Sequence, residues 1–286
     1  LKNSKVGVVD QVKKKNSHPP LPRRIFNLIA FGAVLLALIF FLFPRKVTIK
    51  LHSSSSDPKA KRVLFIGNSL TYTFEAPEQF SKIIKLVRPN QTFSVFSATG
   101  PNFTLAEHLS DRNTMALVTK GKWDYIVLQE GSRAIYGDYQ EAKASIEKFK
   151  TIAEQQRAKL ILIKIPGDKN SAADKSNLGS FFDKIDEELK LKTLPIGDFV
   201  FFCQTNQPQL KLYDADNHHP GPDGALLYAC LVAREIAGFT ITDLQKDLGR
   251  LPNSKETNFT GDETNSLQVI CKLLIDYERN LKARPQ

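Results

Sequence analysis

Val63-Leu64-Phe65-Ile66-Gly67-Asn68-Ser69 is the stretch on which the reading of the fold turns. Four apolar residues run without a polar break into Gly-Asn-Ser. A short continuous apolar run closed by turn residues has the pattern of a strand buried on both faces, as in a parallel sheet. The turn leaves Ser69 and its hydroxyl at the carboxyl end of that strand, where a helix would start. In an open α/β sheet, ligands bind at that end of the strands.

Working outward, apolar runs recur at 92–98, 125–129, 160–165 and 194–199, giving five candidate strands. Amphipathic stretches alternate with them at about 77–88, 104–119, 140–157 and 174–191, followed by 223–237 and 264–281. Such alternation predicts a parallel five-stranded sheet covered on both faces, a doubly wound three-layer sandwich over residues 63–286. The segment 166–179, rich in Asn, Ser, Asp and Gly, reads as the loop after the fourth strand, at the rim of the ligand-binding end.

The rest of the chain is of another kind. The net charge is +10, but residues 1–62 hold 13 Lys/Arg against only Asp10 and Asp57, leaving 27 basic and 28 acidic residues beyond. The folded part is therefore nearly neutral, which argues against a nucleic-acid-binding face. The basic residues flank the apolar segment 25–43, which has no charge and one clearly polar residue, Asn27. Its 19 residues would reach about 28 Å as a helix, close to the thickness of a bilayer core. The segment continues into Phe43-Pro44-Arg45 with no small-residue cleavage site, so it is expected to be an uncleaved signal anchor and not a core helix or a removed leader. Residues 1–24 are then a basic, disordered cytoplasmic tail and 44–62, with Ser53-Ser54-Ser55-Ser56, a flexible linker. The modest excess of Lys and Arg before the span places the amino terminus in the cytoplasm and the large domain outside. Cys203, Cys230 and Cys271 have no metal-ligand spacing; Cys230 reads as a buried thiol, and a Cys203–Cys271 disulfide is open in an oxidising compartment.

A serine hydroxyl is a weak nucleophile at neutral pH. It needs an imidazole to take its proton, and preferably a carboxylate to fix that imidazole's tautomer. Asp216-Asn217-His218-His219-Pro220, 150 residues after Ser69 at His219, supplies both. Asp216 and His219 stand at i and i+3 and can face each other within one loop. His218 would point away, and Asp214 has a less direct reach. Pro220 and Pro222 stiffen the loop ahead of the next helix. Ser69 is the expected nucleophile, His219 the general base and Asp216 the residue that orients it. The Ser69 N–H, at a helix start, would face charge developing on a substrate oxygen. Glu130 reads as a solvated or salt-bridged carboxylate, and Trp123 and Phe103 as core or pocket wall. No metal cluster, phosphate-cradling loop or dinucleotide fingerprint is present in the sequence, and the chemistry requires no cofactor.

Gly67-Asn68-Ser69, Gly100 after the second strand, the polar cluster Gln129-Glu130-Gly131-Ser132 after the third, and Asp216-x-x-His219-Pro220 occur in the order and approximate spacing of the SGNH (GDSL-type) hydrolases. The chain resembles that family over residues 63 to about 240, and in particular a bacterial branch with Gly-Asn-Ser in block one and Leu-Gln-Glu after the third strand. The resemblance implies a flavodoxin-like sandwich, a Ser/His/Asp triad at Ser69, His219 and Asp216, and an oxyanion hole made by the N–H groups of Ser69 and Gly100 and a side-chain amide. Two blocks depart from the pattern. Gln129 stands where the family usually offers an Asn, and Gly100 is followed by Pro101 and Asn102, so the side-chain donor is either Gln129 or Asn102.

These readings converge on a membrane-anchored serine esterase acting on a small-molecule or carbohydrate ester, an O-acetyl group or a lipid-like acyl ester, through an acyl-enzyme. Two alternatives share parts of the pattern: an acyltransferase to a sugar hydroxyl, and a catalytically silent carbohydrate-binding module. The complete Ser69/His219/Asp216 set argues against the latter.

Overall fold

The computed structural model describes residues 45–250 and 259–283. The tail expected at 1–24 and the anchor expected at 25–43 lie outside the described residues. Among the described residues, no single helix is long and apolar enough to cross a membrane.

Five strands form one sheet: β1 Thr48–Ser53, β2 Lys61–Gly67, β3 Phe93–Thr99, β4 Tyr125–Gln129 and β5 Lys159–Ile163, in the order β1-β3-β2-β4-β5. The four central and distal strands are parallel, β2 aligning Val63 with Val95 on one side and with Tyr125 on the other. β1 is antiparallel to β3. This corrects the expected all-parallel sheet and the expected flexible linker, since β1 falls within 44–62. Thr48-Ile49-Lys50-Leu51 pairs residue by residue with Thr99 to Phe96, and the serines after it are tied down as well. Ser53 Oγ donates to the Phe93 carbonyl and the Ser55 N–H donates to Ser94 Oγ.

The fifth expected strand, 194–199, is not one. Leu194 makes a single parallel bridge to Ile163, and the chain then turns into a helix at Ile196. Pro195 explains the switch, because it has no N–H to continue a ladder and stands at the N-cap position.

The helices in chain order are α1 Ser69–Tyr72, α2 Ala76–Val87, α3 Leu105–Ser110, α4 Arg112–Lys120, α5 Ser132–Ile135, α6 Tyr139–Gln156, α7 Ala172–Leu189, α8 Ile196–Asn206, α9 Pro222–Ala237, α10 Ile241–Arg250 and α11 Gly261–Ala283. The single helix expected at 104–119 is broken at Asp111, which leaves helical geometry (ψ 120°) and caps α4 by accepting the Thr114 N–H at 2.7 Å. Val63, Leu64, Phe65 and Ile66 are all fully buried, so both faces of β2 are covered. Phe65 packs edge-on against Phe80 of α2 and also meets Tyr228 of α9. From Asp223 to Ala233, α9 is buried on every side, which identifies its long apolar run as a core helix.

All three cysteines are free and buried. The Cys203–Cys271 bond is not formed: Cys271 lies in hydrogen-bonding contact with Cys230, which together with burial raises its thiol well above the ordinary range. Burial alone pushes the Cys203 thiol up to about 12.

Candidate active site

Ser69 is the first residue of α1, at the carboxyl end of β2. Its position is fixed by Asn68, whose side chain accepts the Leu70 N–H at 3.0 Å as N-cap and donates to the Phe103 carbonyl at 3.0 Å. The Asn68 N–H in turn donates to Gln129 Oε1 at 2.9 Å, at the end of the neighbouring strand β4. As the first helical residue, Ser69 has an N–H that no carbonyl within α1 can accept.

The opposite side of the turn is held through the Gly67 carbonyl, which accepts from His108 Nε2 at 2.8 Å and from the Gly100 N–H at 3.3 Å. His108 is fully buried on α3, and its Nδ1 lies 3.2 Å from Thr114 Oγ1. Burial lowers its pKa, against the upward pull of the Gly67 bond and nearby acids. The ring is therefore neutral, with Nε2–H donating to Gly67 and Nδ1 accepting from Thr114. Gly67 has no room for a side chain, since a Cβ would stand 2.6 Å from both Gln129 Oε1 and Thr71 Oγ1.

The loop Tyr213 to Pro220 faces this turn, closed by an antiparallel bridge between those two residues. Asp216 Oδ1 accepts the N–H groups of both His218 and His219 at 3.0 Å, which winds the loop around the carboxylate. Asn217, with φ 60°, supplies the left-handed residue this requires. Asp216 Oδ2 meets His219 Nδ1 at 2.5 Å, and His219 Nε2 meets Ser69 Oγ at 2.8 Å. Three residues chosen from the sequence are thus linked in one continuous hydrogen-bonded chain. The bond to His219, followed by the two backbone N–H bonds, holds the Asp216 carboxyl far below the usual carboxylate range.

His218 does turn elsewhere. Its Nδ1 lies 2.5 Å from Asp168 Oδ1, on the loop after β5. Two further bonds join the same loops: Lys169 N–H to the Asn217 carbonyl at 2.8 Å and Tyr213 Oη to the Gly167 carbonyl at 3.0 Å. The loop expected at the rim of the site therefore braces the histidine loop.

The expected amide donors are placed differently. Gln129 is buried, its Oε1 also accepting from Thr71 Oγ1 at 3.0 Å and its Nε2 donating to the Glu130 carbonyl at 2.6 Å. The side chain ties β4 to the Ser69 turn and does not present its N–H to the Ser69 hydroxyl. The Gly100 N–H is likewise engaged, by Gly67. Asn102 is exposed, with φ 55°, at the third position of a turn closed by the Phe103 N–H on the Gly100 carbonyl. Pro101 followed by a left-handed residue is the pattern of a type II turn.

Glu130 is neither solvated nor salt-bridged. It is fully buried, and its Oε1 accepts the N–H groups of Leu105 at 3.0 Å and Gly131 at 2.7 Å. Burial raises its carboxyl to about 7, despite those two bonds. Trp123 is core, as expected, with its Nε1 donating to the Leu117 carbonyl. His108 had no sequence signal beyond being one polar residue on an amphipathic helix.

No family model matches the sequence, and no curated protein matches it. Solved structures do. A candidate SGNH hydrolase from Slackia heliotrinireducens superposes with a TM-score of 0.53 at 21% identity, over 62% of this chain and 100% of its own. The fold is the SGNH hydrolase fold. An acetylxylan esterase from Geobacillus stearothermophilus gives a TM-score of 0.51 at 16% identity, covering 63% of this chain and 94% of its own. A candidate GDSL-like lipase from Parabacteroides merdae gives 0.51 at 12% identity, over 63% and 96%.

Proposed function

We propose that this chain is a serine esterase of the SGNH type, tethered to a membrane by residues 25–43 with its catalytic domain outside the cytoplasm. The observation that carries the chemistry is the chain of bonds Ser69 Oγ–His219 Nε2–Asp216, at 2.8 and 2.5 Å. Ser69 attacks the ester carbonyl while His219 takes its proton and then delivers it to the leaving alkoxide. Asp216 stays ionised and holds the imidazole with Nε2 toward Ser69. Water, activated by the same imidazole, releases the acyl group from Ser69. The Ser69 N–H and the Asn102 side chain are the donors for the oxyanion, because Gln129 and Gly100 direct theirs into the scaffold.

An acyl group on a carbohydrate is the substrate this reading favours. The side chains of His219 and Asp216 are 30% and 48% exposed, so the site is open enough for an ester carried on a bulky chain. The acetylxylan esterase that shares the fold acts on such an ester. Labelling with a fluorophosphonate probe is the test. Modification of Ser69 is expected, and Ser69→Ala should lose both labelling and hydrolysis of p-nitrophenyl acetate, by a factor on the order of 10⁴ or more. Labelling at another serine, or an active Ser69→Ala, would end the proposal. Release of acetate to water, unchanged by added sugar alcohols, separates hydrolysis from acyl transfer. Carbonate-resistant membrane fractionation, with protease reaching the domain in intact spheroplasts, tests the tether and its orientation.

A further inference from the structure

A second cluster of ionisable side chains lies away from the triad residues. His52 is on β1, Glu75 ends the 3-10 turn that follows α1, and Glu78 is in the first turn of α2. One ring nitrogen and two carboxylate oxygens from these residues come within 4.8 Å of one another.

The imidazole is the decisive member. Its side chain is only 3% exposed, with Nε2 held 2.9 Å from Ser97 Oγ. Nδ1 is buried and has no hydrogen-bond partner among the described residues. It faces Glu75 Oε2 at 3.8 Å, beyond hydrogen-bonding distance. Burial, with a smaller contribution from Lys50, holds this histidine down to about 4 although Glu75 opposes the shift. Ser97 Oγ can donate to Nε2 or accept from it; where it accepts, Nδ1 turns a lone pair toward a carboxylate oxygen. In that tautomer two electron-rich atoms face each other across a buried imidazole and a half-exposed carboxylate, a pairing that a cation between them relieves. The carboxylate already attracts one: Lys50 Nζ lies 2.7 Å from Glu75 Oε2, on a side chain that is 45% exposed and free to swing away.

We infer that His52, Glu75 and Glu78 form a site for a divalent transition-metal cation, with zinc the best match to one imidazole and two carboxylates. Such a donor set suits zinc and leaves a position for water. Bond lengths of 2.0–2.1 Å place tetrahedral ligand atoms about 3.3 Å apart. His52 Nδ1 and Glu75 Oε2 need to close by about half an ångström and no pair by more than about 1.5 Å, which the partly exposed glutamates permit. His52 and Glu78 also line a cavity of about 430 Å³, which gives the ion a route in. A bound cation would clip the edge strand to the turn that leads out of the Ser69 helix, where Phe74 and Glu75 both hold positive φ.

The test titrates Zn²⁺ alone into the full chain in detergent, in competition with a chromophoric chelator. One tight equivalent is expected. Glu78→Gln, an isosteric change at a partly exposed position, should weaken it by about tenfold or more. Lys50→Gln should strengthen it by removing the competing ammonium, and Zn²⁺ should raise the unfolding temperature of the wild type but not of Glu75→Gln/Glu78→Gln. Equal affinity in the wild type and that double variant would place the zinc elsewhere, as at His218 and Asp168, and overturn the inference. So would the absence of any stoichiometric binding up to millimolar Zn²⁺.

Discussion

Glu130→Gln should flatten the dependence of folding stability on pH. The wild-type carboxyl is fully buried, with Leu105 and Gly131 N–H groups on one oxygen and no hydrogen-bond partner, among the described residues, for the other. Burial dominates and raises it from an ordinary 4.5 to about 7, with Glu141 and Glu107 adding to the rise and the two N–H bonds opposing it. A carboxyl raised in the folded state binds its proton more tightly there than in the unfolded chain. Its contribution is complete below about 4.5 and is lost as pH climbs through about 7. At 1.36 kcal/mol per pH unit, that interval limits the loss to about 3 kcal/mol. Glutamine keeps the accepting oxygen and cannot titrate. Urea unfolding at pH 5, 6, 7 and 8 should therefore show the wild type losing up to about 3 kcal/mol relative to the variant, at equal m-values. Parallel curves would refute the reasoning. A wild type that gains on the variant with rising pH would show that the two N–H bonds outweigh burial.

Three other outcomes follow from the same geometry. Gln129→Leu should cost about 2–5 kcal/mol in urea unfolding, because it strands the buried Asn68 N–H and Thr71 hydroxyl; a loss of activity at full stability would instead make Gln129 an oxyanion donor. Asn102→Ala should lower kcat by about 10²–10³ with little change in stability, and a change below about threefold would remove Asn102 from that role. His219→Ala should be as inactive as Ser69→Ala, with the double variant little worse, whereas His218→Ala, which loses the exposed pair with Asp168 and an edge-on contact with the His219 ring, should retain most activity in the same p-nitrophenyl acetate assay.

The strands β2 to β5 were legible because each is a short apolar run between turn residues, and Ser69, Asp216 and His219 because their chemistry demands that combination. What escaped did so for local reasons. β1 alternates Ile49 and Leu51 with Lys50 and His52 and runs into four serines, so it reads as a tether until β3 offers a partner. Ile196–Asn206 is apolar enough to pass for a strand, and only Pro195 at its start marks a helix. Gln129 has the right chemistry for an oxyanion donor, but the pairing of β4 with β2 puts it beneath Asn68, where a buried N–H claims its oxygen. Glu130 looks like any polar residue after a strand until α3 is found to start on its carboxylate at Leu105.

The two halves of the site are built on different principles, and this decides how variants will fail. Ser69 rests on buried groups: Asn68 is 3% exposed, Gln129 1% and His108 0%, each bonded across to a different segment. Removing any of them strands polar groups that water cannot reach, so the loss registers first in stability. The histidine loop is held by Asp216, Asp168 and backbone bonds at the surface, where a broken bond is replaced by one to solvent. Changes there should leave the fold almost untouched and act on the aim of the imidazole, about which a shift of an ångström is costly in rate. Activity lost with stability thus points to the Ser69 turn, and activity lost alone points to the loop that carries His219.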